Sequence, residues 1–309
     1  MPRERSTAME KGQIKGHVAM FGANALWGLM APVVKIVLAG GVVTSLMMTN
    51  FRILGAAVLF WVASAFMRKE HVPPMDLLRL AGAAMLGIVF NQGCYVAGVG
   101  LTSPGEASIV TTTMPLWVMV LAALILKEPI TMKKAGGIAL GAAGALILVL
   151  SGRSVSAAGG NPMLGDLLVL TAQLSYALYL TFYRNFIRRY SVVTLMKWMF
   201  TFAAIAILPF SIKEYASTAW HALSWAEIAG AAYVVVGSTF LAYILVMIGQ
   251  KNLRPTLVGM YNYVQPIVAS LVGVCLGLDR FTPAKILAVA LIFSGVWLVT
   301  ISRAARSEN

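Results

Sequence analysis

Residues 104–129 read PGEASIVTTTMPLWVMVLAALILKEP, and residues 255–280 read PTLVGMYNYVQPIVASLVGVCLGLDR. Three distinctive positions match at an offset of 151 residues, namely Pro104 with Pro255, Pro115 with Pro266, and Glu128 with Asp279. A constant offset is difficult to obtain by chance, even in apolar sequence of low diversity. The chain is therefore predicted to contain an internal repeat.

The repeat extends beyond these two segments. An offset of 149 residues matches Asn24 with Gln173 and Trp27 with Tyr176. A polar connection, residues 152–163, lies close to the midpoint of the 309-residue chain. We therefore divide the chain into an N-terminal tail (1–16), a first repeat (17–151), this linker (152–163), a second repeat (164–302) and a C-terminal tail (303–309).

The composition predicts that lipid surrounds most of the chain. Apolar side chains make up 59% of the residues and charged side chains 11%, whereas soluble domains average about 25% charged residues. A helix needs about 20 apolar residues to cross a bilayer. Ten segments have this length, at residues 17–38, 43–67, 77–99, 104–126, 133–151, 164–187, 191–213, 225–249, 255–277 and 283–302. We predict an all-α membrane protein with ten transmembrane helices.

The number of spans and the basic residues predict the topology. Each repeat holds five spans, so the second copy enters the membrane from the opposite side, which is an inverted repeat. About 17 of the 24 Lys and Arg residues fall on the side of the N-terminus. By the positive-inside rule, both termini are cytoplasmic and the protein is a multi-pass protein of the cell (inner) membrane. The net charge of +13 therefore indicates topology and not a nucleic-acid partner.

The repeated pattern resembles a known family. The pattern from Pro104 to Gly144 has a mid-helix proline, a Leu-Lys-Glu turn at residues 126–128 and a glycine-rich last helix, and the second copy, from Pro255 to Gly295, repeats it with Pro266 and Leu278-Asp279. This arrangement is similar to the EamA domain of the drug/metabolite transporter superfamily, although Asp279 stands where that family usually has Glu. The resemblance implies ten helices around a central cavity lined by helices one, three, four, six, eight and nine. It also implies export or exchange of small metabolites.

Polar and aromatic side chains inside the spans are the candidate substrate site, because unpaired polar groups are costly in lipid. An amide and an aromatic residue three positions apart share one helix face, as Asn24 and Trp27 do in the first span. The alternative role for such groups is hydrogen bonding between helices or to their own helix backbone. The candidate cavity residues are Asn24, Trp27, Asn91, Tyr95, Thr111, Gln173, Tyr176, Tyr179, Tyr243, Asn262, Tyr263 and Gln265. Pro115 and Pro266 are predicted to kink their helices.

Arg52 and Glu106 are candidates for gating or coupling. Arg52 lies within the second span, where a cation costs about 2.5–3.5 kcal/mol at a helix centre. It could pair with Glu106, reach the membrane surface or bond backbone carbonyls, and the sequence leaves these alternatives open. Glu106 would serve in proton coupling if it faces the cavity, or as a helix cap if it does not.

The remaining motifs favour transport over catalysis. The sequence has no phosphate-binding loop, and its two cysteines and three histidines lack metal-ligand spacing. We therefore predict no metal, no cofactor and no enzyme activity. The predicted function is secondary transport of small organic metabolites, such as amino acids or drug-like compounds, by a monomer or homodimer. The alternatives are an anion or nucleotide-type exchanger that uses Arg52, and an intramembrane lipid-modifying enzyme.

Overall fold

The computed structural model describes residues 2–101, 110–150, 161–275 and 282–302. Glu106 and Asp279 lie outside the described residues. All regular secondary structure in the described residues is helical. The first half comprises α1 (Pro2–Ala39), α2 (Ser45–Ala65), α3 (Pro74–Ala84), α4 (Asn91–Leu101), α5 (Met114–Leu126) and α6 (Met132–Leu150). The second half comprises α7 (Pro162–Phe182), α8 (Val192–Ser217), α9 (Trp225–Val235), α10 (Ala242–Asn252), α11 (Pro255–Met260), α12 (Val264–Cys275) and α13 (Pro283–Thr300).

Five helical segments are long and apolar enough to cross a membrane. They are Ser45–Ala65, Pro74–Gly98, Met163–Phe182, Val192–Ala216 and Trp225–Asn252. Two shorter apolar helices, Met114–Leu126 and Ile286–Thr300, accompany them. The segment 2–16, expected to be a tail, is helical and forms the first part of α1, because it consists mostly of residues that favour helix and contains no interior proline.

Polar side chains begin several of these helices. Thr44, Asn161 and Ser191 each accept a hydrogen bond from a backbone N–H in the first turn of α2, α7 and α8. Ser224 and Glu227 form a reciprocal capping box at the start of α9. These contacts satisfy backbone donors that have no partner within the helix, and the apolar spans follow directly.

The two halves repeat in their backbone as well as in sequence. A single π-helical turn joins α3 to α4 at Met85–Phe90, and another joins α9 to α10 at Val236–Leu241. The bounds of α9, of its π turn and of α10 each lie 151 residues after those of α3, its π turn and α4. Because π turns are rare, two at equivalent positions indicate that both copies retain one local structure.

Equivalent helices also make equivalent contacts between the halves. Helix α1 packs against α10 and α12, and its counterpart α7 packs against α4 and α5. Helix α2 packs against α8, and α6 packs against α13. A Cβ atom added at Gly137 would lie 2.7 Å from the carbonyl oxygen of Gly295, so these last two backbones are in close contact. Small residues permit such contact between membrane helices.

The two prolines predicted to kink helices instead lie in the first turn of new ones. The chain leaves the helical path at Thr112 and Thr113, and α5 then begins with Pro115 in its first turn. In the second half, a 3₁₀ turn at Tyr261–Tyr263 precedes α12, and Pro266 is the third residue of that helix. A proline lacks a backbone N–H, which the first turn of a helix does not require. The predicted span 255–277 is therefore interrupted next to the cavity.

Candidate functional site

A central cavity of about 180 Å³ lies between the two halves. Ten of the twelve predicted cavity residues line it, together with Arg52 and Pro266. Asn24 and Tyr179 lie outside the lining. The residues that line it are Trp27, Gly28, Met30, Arg52, Asn91, Gln92, Tyr95, Thr111, Thr112, Met114, Gln173, Tyr176, Tyr243, Asn262, Tyr263, Gln265 and Pro266. Whether they bind a solute remains a prediction.

Each π turn presents a carbonyl to the first helix of the other half. The indole Nε1 of Trp27 in α1 donates to the carbonyl oxygen of Ser238 at 2.8 Å. Ser175 Oγ in α7 donates to the carbonyl oxygen of Leu86 at 2.7 Å. A π turn disrupts the regular pairing of helix carbonyls, and a buried carbonyl needs a donor. These bonds fix α1 and α7 against the opposite half at the level of the cavity.

Equivalent residues of the two copies contact each other at the cavity. Gln92 Nε2 donates to the hydroxyl of Tyr243 at 2.7 Å, and the hydroxyl of Tyr263 donates to the carbonyl oxygen of Thr112 at 3.2 Å. The members of each pair are separated by 151 residues, which is the repeat offset. A residue contacts its own equivalent where an axis relating two copies passes close by. The buried Oε1 of Gln92 has no hydrogen-bond partner in the described part of the chain.

Arg52 brings a positive charge to the cavity. Its side chain is 6% exposed, and its Nε donates to Thr239 Oγ1 in the second π turn at 3.2 Å. Thr239 Oγ1 in turn donates to the carbonyl oxygen of Val234 at 2.7 Å. Among the described residues, Arg52 forms no salt bridge with a carboxylate. The guanidinium therefore offers charged donors to the cavity from a fixed position.

Neighbouring amide side chains orient one another at the cavity. Gln265 Nε2 donates to Asn262 Oδ1 at 2.6 Å and to Asn24 Oδ1 at 3.0 Å. Asn24 Nδ2 donates to the carbonyl oxygen of Met20 at 2.8 Å. Asn91 Nδ2 donates across the interface to the carbonyl oxygen of Ala172 at 3.0 Å. Asn24 thus holds Gln265 in place without lining the cavity.

Tyr179 belongs to a polar layer next to the cavity along α7. Its hydroxyl donates to Gln250 Oε1 at 3.1 Å, and Gln250 Nε2 donates to the hydroxyl of Tyr176 at 3.3 Å. The rings of Tyr176 and Tyr179 are 5.7 Å apart. Because α7 runs from Gln173 through Tyr176 to Tyr179, this layer closes the cavity towards the C-terminal end of α7.

A buried ion cluster lies further along in the same direction. Glu128, which is 4% exposed, accepts from Lys134 Nζ, Arg184 Nη1 and Thr256 Oγ1, each at 3.1 Å. The cluster connects the α5–α6 turn of the first half to Arg184, just after α7, and to Thr256 in α11 of the second half. In the sequence, Glu128 served as a repeat marker, and Lys134 and Arg184 are among the basic residues counted on the side of the N-terminus. The signal available in the sequence was the position of Glu128 in a turn, between Lys127 and the pair Lys133 and Lys134.

The sequence matches the EamA-like transporter family over residues 14–150 and again over residues 163–301. The chain belongs to this family. The two matched regions together cover nearly the whole chain, so both halves contribute to the assignment.

Named relatives are also described as transporters. The chain is 28% identical to an "Uncharacterized inner membrane transporter YedA" of Escherichia coli, over 92% of this chain and 90% of the relative. It is 22% identical to an "Uncharacterized transporter YetK" of Bacillus subtilis, over 95% and 89% of the two chains. A crystal structure of another protein superposes with a TM-score of 0.75 and 19% identity, covering 94% of this chain and 96% of that one. At this identity the likeness shows the fold alone.

Proposed function

We propose that the protein is a secondary transporter of small organic metabolites that works by alternating access. The observation that carries this proposal is the central cavity, to which both halves contribute equivalent residues. Two equivalent halves around one midplane site provide interchangeable gates on the two sides of a membrane. We infer ten spans in two inverted five-helix repeats, because each half supplies five helical passes when its broken helices are counted as one pass.

In this proposal both termini face the cytoplasm. The basic residues concentrate on the side of the N-terminus, which supports that orientation. The repeats then occupy residues 17–151 and 164–302, with short tails outside them. The Glu128 cluster and the layer around Tyr179 lie at the cytoplasmic end of the cavity. Opening towards the cytoplasm would require both contacts to separate.

The cavity favours a small solute with one carboxylate, and we assign zwitterionic amino acids as the substrate class. Arg52 would bind the carboxylate, since a guanidinium donates in a planar fork that matches it. The amides Asn91, Gln173 and Asn262 would bind the polar atoms that remain. Trp27 and Tyr243 pack edge to face, with ring centroids 5.8 Å apart, and offer an apolar wall.

The same features disfavour the alternative functions. Nucleotides carry several charges, whereas Arg52 is the charged side chain in the described lining. Pockets for drug-sized ligands span about 300–1,000 Å³, which exceeds this cavity. The described lining contains no His, Cys or carboxylate, which are the usual groups for acid–base or nucleophilic catalysis. We therefore rank lipid modification last.

Counterflow in liposomes tests the proposed function. Vesicles that contain the purified protein would be loaded with an unlabelled solute, and uptake of the labelled solute would be followed for neutral amino acids, monocarboxylates and nucleotides. We expect counterflow of amino acids, and loss of it in Arg52→Gln and in protein-free vesicles. Repeating the assay with an imposed pH gradient tests a proton-coupling role for Glu106. Counterflow restricted to nucleotides, or lipid turnover without counterflow, would overturn the proposal.

A further inference from the structure

A second cation, Lys197, lies within an apolar helix and outside the cavity lining. Lys197 is the one ionisable side chain between Val192 and Ile212 of α8. It lies five residues into the helix, about 8 Å along the axis at 1.5 Å per residue. That depth lets a lysine side chain reach the headgroup region of a bilayer.

Aromatic rings hold the ammonium group of Lys197. Its Nζ lies 4.6 Å from the ring centroid of Trp61 in α2 and 5.5 Å from that of Trp198. The two indole rings meet edge to face with centroids 5.5 Å apart. Rings provide a cation with electrostatic attraction but no hydrogen-bond acceptor of carboxylate strength. In the described part of the chain, Lys197 forms no salt bridge.

Hydrogen bonds fix the geometry of this aromatic cradle, which we define as Trp61, Lys197, Trp198 and Thr201. Trp61 Nε1 donates to Thr201 Oγ1 at 2.9 Å, and Thr201 Oγ1 donates to the carbonyl oxygen of Lys197 at 2.7 Å. The position of the Trp61 ring is therefore tied to the backbone that carries the lysine. The cradle is a built arrangement rather than a loose surface lysine.

The cradle lies on a partly exposed apolar surface of the protein. Trp61 is 45% exposed, and the apolar side chains of Val58 and Val62 on the same helix are also exposed. Two further cations, Arg68 and Lys69, follow the end of α2 and are exposed. Tryptophan is typical of the membrane interface, and clustered basic residues there attract anionic lipids.

We propose that the aromatic cradle binds the phosphate group of an anionic phospholipid. Lys197 donates to the phosphate oxygens, Trp61 and Trp198 flank the glycerol region, and the exposed apolar face of α2 and α8 contacts the acyl chains. This site is separate from the transport cavity, because none of its four residues lines that cavity.

Native mass spectrometry of the detergent-purified protein, titrated with phosphatidylglycerol, tests the site. Lys197→Gln should weaken lipid binding by about fivefold, which corresponds to one cation at an anionic surface. Lys197→Arg should retain it. Lys213→Gln is the matched control, because it removes an exposed cation from the other end of the same helix, and it should bind phosphatidylglycerol as the wild type does.

Two further arms identify the ligand. Phosphatidylcholine, whose headgroup has no net charge, should bind more weakly than phosphatidylglycerol. Inorganic phosphate should not raise the thermal midpoint of the protein as the lipid does. Unchanged phosphatidylglycerol binding in Lys197→Gln, an equal loss in Lys213→Gln, or equal protection by inorganic phosphate would each overturn the proposal.

Discussion

Arg52 and Lys197 each interrupt the apolar stretch of the second helix in their half, yet they occupy opposite environments. Arg52 in α2 is buried between the halves and donates to Thr239. Lys197 in α8 lies at the periphery over the rings of Trp61 and Trp198. Neither forms a salt bridge in the described part of the chain. The two copies share a backbone plan, but one cation lines the cavity and the other lies against aromatic rings at the periphery.

Lys134 gives the contrasting case of a cation with a carboxylate partner. It is 1% exposed and pairs with Glu128. Cations within or next to the described spans are therefore accommodated in three ways: Arg52 lines a polar cavity, Lys197 lies against aromatic rings, and Lys134 pairs with a buried acid. Removing each partner separately tests whether the three are energetically distinct.

The largest effect is expected for Glu128→Gln. The substitution would leave Lys134 buried without a carboxylate, cavity or lipid to solvate it, and breaking a buried pair costs roughly 3–5 kcal/mol. The free energy of unfolding in detergent, measured by chemical denaturation, should fall accordingly. Arg79→Gln is the control, because Arg79 is 49% exposed in its pair with Asp76, Asp76 keeps the hydrogen bond from the hydroxyl of Tyr190, and exposed charges contribute little. Equal stability of Glu128→Gln and the wild type would show that Lys134 does not depend on this acid.

The same lysine shows what the sequence could not reveal. Lys134 is one of the basic residues counted on the side of the N-terminus, and such a count treats all cations near span ends alike. Its partner Glu128 also accepts hydrogen bonds from Arg184 and Thr256, which lie 50 and 122 residues after Lys134 in the chain. Contacts between the two halves at such separations leave no local pattern. The repeat itself was predictable, because matched prolines and acidic turns recur at one offset.

The next largest effect is expected from substituting Arg52, and Lys197 provides the comparison, because neither cation forms a salt bridge in the described part of the chain. Arg52→Gln should weaken the apparent affinity for the transported solute by about 10- to 100-fold, as expected for loss of a charged hydrogen bond. Arg52→Lys should restore part of it. Lys197→Gln should change solute affinity much less in the same counterflow assay. Similar losses in Arg52→Gln and Lys197→Gln would remove the distinction between the cavity and the lipid face.

The cavity residues were accessible to sequence reasoning to different degrees. Trp27 and Tyr176 are polar-edged aromatics at mid-helix and recur at the repeat offset, so their interior position was predictable. The first π turn carries no recognisable local signal, because its residues Met85–Phe90 are apolar side chains and one glycine. For Arg52 the sequence left Glu106, the membrane surface and backbone carbonyls open. Glu106 lies outside the described residues, and the structure shows a hydrogen bond from Arg52 to Thr239 in a π turn.

The smallest effect is expected for two matched tryptophan substitutions. Trp27→Phe keeps an aromatic ring but removes the indole N–H that donates to the carbonyl oxygen of Ser238 in the π turn. Trp61→Phe likewise removes the indole N–H that donates to Thr201 at the periphery. Loss of one neutral hydrogen bond corresponds to a change of about two- to tenfold in an equilibrium constant. Trp27→Phe should therefore reduce the rate of transport by about that factor. Trp61→Phe should leave transport within the scatter of the assay. Because both variants make the same change of side chain, a reduction in Trp61→Phe as large as that in Trp27→Phe would mean that the aromatic cradle acts on transport.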